Sequence, residues 1–269
     1  MGGSLVGEVI VITSGKGGVG KTTTTANLGV ALAQLGLKTC LVDADIGLRN
    51  LDVVLGLENR IVYDLVDVVE GFCRLRQALI RDKRLDGLSL LPAAQTKDKT
   101  AVTPEQMRAV TEELRQEFDY VLVDSPAGIE QGFKNAIAGA DRAVIVATPE
   151  VASVRDADRI IGLLEAAEIP PARLVVNRLR PGMVRKGDMM SVDDIVDILA
   201  IDLIGVVPED EQIVVTTNRG EPAALSHDSR AGESYRAIAR RIRGEEVPFA
   251  EMDEPAGFFG RLRRIFGQA

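Results

Sequence analysis

Gly15-Lys16-Gly17-Gly18-Val19-Gly20-Lys21-Thr22 stands between an apolar run, Val9-Ile10-Val11-Ile12-Thr13, and a helix-compatible segment, Thr23 to Gln34. Strand, glycine loop and helix in that order build a cradle for phosphate. Glycines let backbone N–H groups converge on an anion, and the helix N-terminus adds the positive end of its dipole. The spacing satisfies the Walker A pattern G-x-x-x-x-G-K-[ST], in which Lys21 reaches the β- and γ-phosphates and the Thr22 hydroxyl holds Mg2+. The same residues, Gly15-x-Gly17-x-x-Gly20, also spell a dinucleotide fingerprint, with Asp43 and Asp45 near its ribose-binding distance. Lys21-Thr22 favours a nucleoside triphosphate, because a dinucleotide pyrophosphate needs neither a lysine nor a magnesium hydroxyl.

Outward from the loop, Lys38-Thr39-Cys40-Leu41-Val42-Asp43 reads as a second buried strand ending in an acid, and Asp43 to Asn50 as a loop at its C-terminal end. Residues 60–80 predict two short helices, with Val62, Leu65, Val66 and Val69 on one apolar face. Thr103-Pro104-Glu105-Gln106 predicts a capped helix running to about Glu117. Further strands are expected at Gly87–Pro92, where the proline stops it, Tyr120–Asp124, Ala143–Ala147, Arg173–Asn177 and Leu203–Pro208, and helices at Ser153–Ala167, Ser191–Ala200 and Arg230–Arg243. The strands lack polar alternation, as strands buried on both faces of a parallel sheet do. The expected fold is therefore α/β: one doubly wound, mainly parallel sheet with a P-loop, over residues 1–244.

The chain has 269 residues, a net charge of −8 and ordinary hydrophobic content, 46%. That acidity speaks against a generic DNA- or RNA-binding surface. Cys40 and Cys73 are far apart and lack metal-ligand spacing, so Cys40, inside an apolar run, reads as a buried reduced thiol. The start of the chain lacks the charged head and apolar core of a signal peptide, and no apolar run nears the ~20 residues that span a bilayer.

A Walker A loop needs an acid across the sheet to organise its magnesium. Asp124, ending a buried strand before Ser125-Pro126-Ala127-Gly128, is the best placed. Asp43 and Asp45 read either as solvated loop acids or as part of the site, Asp43 joining the second shell of the magnesium and Asp45, further out, orienting the attacking water. The one histidine, His227, falls in an expected turn and reads as structural. Lys16 is charged where the motif asks for no charge: it either reaches its own phosphates or points across to a neighbour's, as an arginine finger supplied in trans does.

Lys16-Gly17-Gly18-Val19-Gly20-Lys21-Thr22 resembles the deviant Walker A motif of the ParA/MinD class of ATPases. Asp45-Ile46-Gly47-Leu48-Arg49-Asn50-Leu51-Asp52, Asp124 to Glu130 and Pro149 to Asp156 are similar to the MinD branch of that class, and the resemblance covers essentially the whole chain. It implies a Mg2+-dependent ATPase that forms an ATP-bound homodimer, controls placement of the division septum, and lies in the cytoplasm or peripherally on the inner face of the cell membrane. It implies that Lys16 contacts the opposite protomer's ATP and that Asp45 is a catalytic switch acid. Asp43, Asp124 and Thr22 would serve the metal, and Gly15 to Thr23 would cradle the phosphates. Asn50 would help place water, and Asn177, Arg178, Pro208, Glu209 and Asp210 would flank the adenine. Asp156 would face MinC, which competes with MinE for the dimer while MinE stimulates hydrolysis.

After Arg243 the composition changes to an acidic, proline-bearing linker, residues 245–256, followed by Gly257 to Ala269. Phe258, Phe259, Leu262, Ile265 and Phe266 fall within about a third of a helical circumference, and Arg261, Arg263 and Arg264 lie outside that arc. This segment suits lying in a membrane interface with its arginines at anionic headgroups. A large apolar side chain contributes about 1.5–3 kcal/mol on full burial and an arginine near an anionic surface about 1, against an ordering cost of order 1 kcal/mol per residue. One tail is thus marginal, whereas two on a dimer raise avidity by about 10²–10⁴. A DNA-partitioning ATPase, an iron–sulfur carrier ATPase and a flagellar-placement relative are the rival readings. Net acidity opposes the first and the cysteine positions oppose the second, while only the resemblance separates the third.

Overall fold

The computed structural model describes residues 6–250, so the membrane-facing expectation for Phe258, Phe259, Arg261, Leu262, Arg263, Arg264, Ile265 and Phe266 lies outside the described residues. The strands are β1 (Glu8–Thr13), β2 (Thr39–Asp43), β3 (Ile80–Arg81), β4 (Leu88–Leu91), β5 (Tyr120–Asp124), β6 (Arg142–Ala147), β7 (Arg173–Leu179) and β8 (Leu203–Pro208). They form one sheet in the order β3-β4-β2-β5-β1-β6-β7-β8, parallel except for the antiparallel edge pair β3–β4. Alternate residues of one strand face opposite layers: Val9 and Val11 of β1 join one apolar cluster, Ile10 and Ile12 the other. Both faces are therefore covered, which is why the strands read as continuous apolar runs.

The helices are α1 (Lys21–Gln34), α2 (Leu51–Leu55), α3 (Leu65–Val69), α4 (Leu75–Ala78), α5 (Pro104–Leu114), α6 (Gln131–Ile137), α7 (Val151–Ala166), α8 (Pro181–Lys186), α9 (Val192–Leu199), α10 (Gln212–Asn218) and α11 (Arg230–Ile242). α1, α2 and α11 contribute to the cluster on one face; α5, α6, α7 and α9 contribute to the cluster on the other. The cap expected at Thr103 forms, and the structure makes it a reciprocal capping box, the Thr103 hydroxyl accepting from Gln106 N at 3.2 Å while Thr103 N donates to Gln106 Oε1 at 2.9 Å. α5 stops at Leu114 rather than Glu117, because the chain tightens into a turn, Phe118 N to Leu114 O at 3.0 Å, that delivers Tyr120 to the sheet. Val62 also departs from expectation. Asp64 caps α3, so Val62 precedes the helix and is 78% exposed instead of joining its apolar face. Cys40 is a buried free thiol, and His227 lies exposed in a bend.

The parallel order places β1 between β5 and β6, so the chain winds outward in both directions from the strand that carries the glycine loop. The C-terminal ends beside that reversal are where an open parallel sheet binds its ligand. Thr13, Asp43 and Asp124 end there, with Asp43 and Asp124 directly paired across β2 and β5.

Candidate functional site: a phosphate loop over two buried carboxylates

The loop between β1 and α1 meets the helix at Gly20, whose φ of 96° is in the left-handed region, and the helix has no side-chain cap. A β-carbon at Gly20 would lie 2.3 Å from Asn177 Nδ2, so only glycine fits both the backbone and its neighbour. Asn177 Nδ2 in turn donates to Val19 O at 2.7 Å, tying the loop to β7. The uncapped first turn turns its amides toward the loop, which suits an anion. Lys21 is 8% exposed at the first position of α1.

Below the loop, Thr22 Oγ1 donates to Asp124 Oδ2 at 2.7 Å and Thr25 Oγ1 lies 3.0 Å from Asp124 Oδ1. Asp43 is just as organised: Oδ1 accepts from Asp45 N at 3.0 Å, and Oδ2 from Asn50 N at 3.2 Å and Leu51 N at 3.1 Å. Both carboxylates are 1% exposed. Burial pushes the Asp43 carboxyl up to about 7, the neighbouring Asp124 charge adds to this, and the amides of Asp45 and Leu51 oppose it. Burial likewise raises Asp124, opposed by the Lys21 ammonium and by the Thr22 and Thr25 hydroxyls. Two buried carboxylates that destabilise each other as anions are a setting a cation relieves. Among the described residues no group of three or more His, Cys, Asp or Glu side chains is arranged to hold a metal. Asp43, Asp124 and the Thr22 hydroxyl are a set that suits Mg2+ with a nucleotide, since that ion takes few carboxylates and completes its shell with phosphates and water.

The structure brings Lys21, Thr22, Asp43, Asp45 and Asp124 to one place. Lys16 stands at the rim, half-exposed, with Nζ 3.5 Å from Glu150 at the start of α7. Gly15 packs on the backbone of Asp156, so the loop and the expected partner-facing residue are in contact. Asn50 contributes its backbone N–H to Asp43. Of the residues expected to flank the adenine, Arg178 N donates to Asn177 Oδ1 at 3.0 Å, Glu209 pairs with Arg180, and Pro208 ends β8. Asp210 serves as a joint, accepting from Gln212 N, Ser229 Oγ and Ala231 N at 2.8–3.0 Å.

Several participants were not singled out by motif reasoning. Thr25 is one, hidden in the run Thr22-Thr23-Thr24-Thr25 although it sits one turn beyond Thr22 on the same helical face. Glu150 is another, because nothing local marks it as facing Lys16. Arg49, held at φ 35°, reaches the 1%-exposed Asp52 at 3.0 Å, a pairing at i,i+3 that spacing permits without requiring.

These features define a nucleotide-binding P-loop fold. The family profile described as the CobQ/CobB/MinD/ParA nucleotide binding domain matches residues 10–223. The septum site-determining protein MinD of Bacillus subtilis is 61% identical over 265 residues, covering 97% of this chain and 99% of the relative. Among solved structures, the MinC:MinD cell division protein complex of Aquifex aeolicus superposes with a TM-score of 0.84 at 53% identity, over 91% of this chain and 98% of that one. MinD of Pyrococcus horikoshii, complexed with Mg-ADP, gives 0.79 at 29% identity, over 87% and 95%. The chain belongs to the MinD family of septum site-determining proteins within the ParA/MinD class.

Proposed function

We propose that this chain hydrolyses ATP with Mg2+, dimerises when ATP is bound, and attaches to anionic membrane as a dimer. In that state it recruits MinC and answers to MinE in placing the division septum. The observation that carries the reading is the Thr22–Asp124 hydrogen bond of 2.7 Å at the mouth of the glycine loop, with Asp43 beside it. The Thr22 hydrogen is committed to Asp124, so the hydroxyl oxygen keeps lone pairs to offer a cation. Thr22, with Asp43 and Asp124 beside it, would hold the cation. Mg2+ supplies charge neutralisation at the transferring phosphoryl group when bound.

The remaining steps belong to the chain's own groups. Lys21 and the amides of Gly15 to Thr23 bind and orient the phosphates. Asp45, with Asn50, holds the attacking water in line. Lys16 leaves Glu150 and reaches the ATP of a second copy, completing a site that a single chain leaves open. Asn177, Arg178 and Pro208 to Asp210 flank the adenine. Its relative in the Aquifex complex is solved with MinC, and Asp156, partly exposed on α7, supports the same partner here.

No helix among the described residues is long and apolar enough to cross a membrane. The spacing of Phe258, Phe259, Leu262, Ile265 and Phe266, with Arg261, Arg263 and Arg264, supports attachment through residues 257–269 on the cytoplasmic face of the membrane. The test is co-sedimentation of the full chain and of a chain ending before Gly257 with vesicles containing anionic phospholipid. ATP-dependent binding of the full chain alone is expected. Equal binding with ADP and ATP overturns the switch.

A further inference from the structure

Helix α2 has only five residues, Leu51–Leu55, a length that does not hold itself together in water. Its two ends are pinned from outside. At the N-terminal end, Asn50 N and Leu51 N donate to the Asp43 carboxylate. At the C-terminal end, Arg84 Nη2 donates to Leu55 O at 2.6 Å. The same guanidinium spans further: Nη1 donates to Gly220 O at 2.7 Å, and Nε and Nη2 hold Asp82 at 3.0 and 2.6 Å. Asp82, just past β3, has a side chain only 1% exposed, so the fork is fixed from behind by a buried carboxylate. Gly220 follows α10, and it packs directly on Gly56, where a β-carbon would come within 2.4 Å of the Gly56 Cα.

Arg84 therefore bolts α2, which follows the loop from Ala44 to Asn50, to the edge of the sheet and to the loop after α10. What moves if it is lost is the far end of α2, and the near end carries the two amides that orient Asp43. We propose that Arg84 is a positioning residue for ATP hydrolysis: by clamping Leu55 and Gly220 it holds α2 so that Asp43, Asp45 and Asn50 keep their places under the glycine loop. This rests on the reading of the site as an ATPase. Lysine cannot substitute fully. A single ammonium has no fixed fork with which to hold Asp82 from two directions while reaching two carbonyls.

Two readouts test it on the full chain, for wild type, Arg84→Gln and Arg84→Lys. The first is steady-state hydrolysis of Mg-ATP with ATP affinity measured in parallel. Arg84→Gln is expected to lower kcat about tenfold or more while KM and affinity for ATP change less than about twofold, with Arg84→Lys in between. The second is amide hydrogen exchange without nucleotide. Exchange at Asn50 and Leu51 is expected to rise about tenfold or more in Arg84→Gln while the amides of β1 and β5 stay as in wild type. Unchanged kcat with unchanged exchange at Leu51 overturns the inference. A uniform rise of exchange over the whole sheet, with ATP affinity lost in step, also overturns it, in favour of a role in general stability. If wild type neither binds nor hydrolyses ATP, the ATPase reading fails; the exchange measurement still decides whether Arg84 holds α2.

Discussion

Gly15 and Asp156 touch backbone to backbone: a β-carbon on Gly15 would lie 2.4 Å from the carbonyl oxygen of Asp156. The glycine loop thus leans on α7, and a change in one must be felt by the other. Gly15→Ala cannot be absorbed by a side-chain rotation, since what it meets is main chain. It is expected to weaken ATP binding by the single chain about tenfold or more, about 1.4 kcal/mol. Calorimetric titration of the variant beside wild type checks this; equal affinities would show that α7 gives way freely.

The Asp43–Asp124 pair sets a pH dependence. Asp43 is raised in the folded chain to about 7 from 3.8, and Asp124 is raised as well. A carboxyl with a raised folded pKa keeps its proton in the fold when the unfolded chain has already released it. The folded state then binds more protons between the two values, so stability falls as pH rises through that window. Without nucleotide or Mg2+, the folding free energy is expected to decline between about pH 4 and 7 by up to about 1.4 kcal/mol per pH unit for each proton retained. Denaturation at a series of pH values gives the slope. A stability that rises across this window would mean the carboxylates are held as anions by groups other than those described.

How much of this was legible beforehand varies by residue. Continuous apolar runs ending in Asp43 and Asp124 gave away both the parallel sheet and its ligand-binding edge, because period and punctuation are local properties of the chain. The glycine loop was legible for the same reason. α2 was not, since five residues carry no period and its helical form depends on contacts with Asp43 and Arg84, far away in sequence. α6 and α10, seven residues each, escaped in the same way. β3 is two residues long, and only its pairing with β4 makes it a strand. Nor does sequence reveal that Asn177 and Asp210, expected beside the adenine, also serve as joints to Val19 and to the start of α11.

Thr25 gives a sharper test of the buried site than Thr22, because no motif asks for it. Its hydroxyl lies 3.0 Å from Asp124 Oδ1 and 3.1 Å from Lys21 O, wholly inside the protein. Thr25→Val preserves the shape and removes the donor, leaving one buried carboxylate oxygen without it. The variant is expected to lose about 1–3 kcal/mol of folding stability in the absence of nucleotide. Part of this should return with Mg-ATP, since a cation beside Asp124 answers the same deficit. Urea denaturation with and without Mg-ATP measures both quantities; a neutral substitution would remove Thr25 from the site.

Lys16 separates a closed pocket from a shared one. Its contact with Glu150 at 3.5 Å joins two side chains that are 46% and 61% exposed. Such a pair contributes at most about 1 kcal/mol, so it is a resting place the lysine leaves readily. Removing the partner should therefore do little to the nucleotide-free chain: Glu150→Ala is expected to shift its stability by less than about 0.5 kcal/mol. Lys16→Ala is expected to leave ATP binding by the single chain within about threefold and to abolish the ATP-dependent dimer, because the charge is needed on the neighbour's phosphates. Analytical ultracentrifugation with ATP distinguishes the cases. A Lys16→Ala chain that still dimerises on ATP would place the lysine on its own nucleotide, and vesicle binding would then no longer depend on the pairing of two tails.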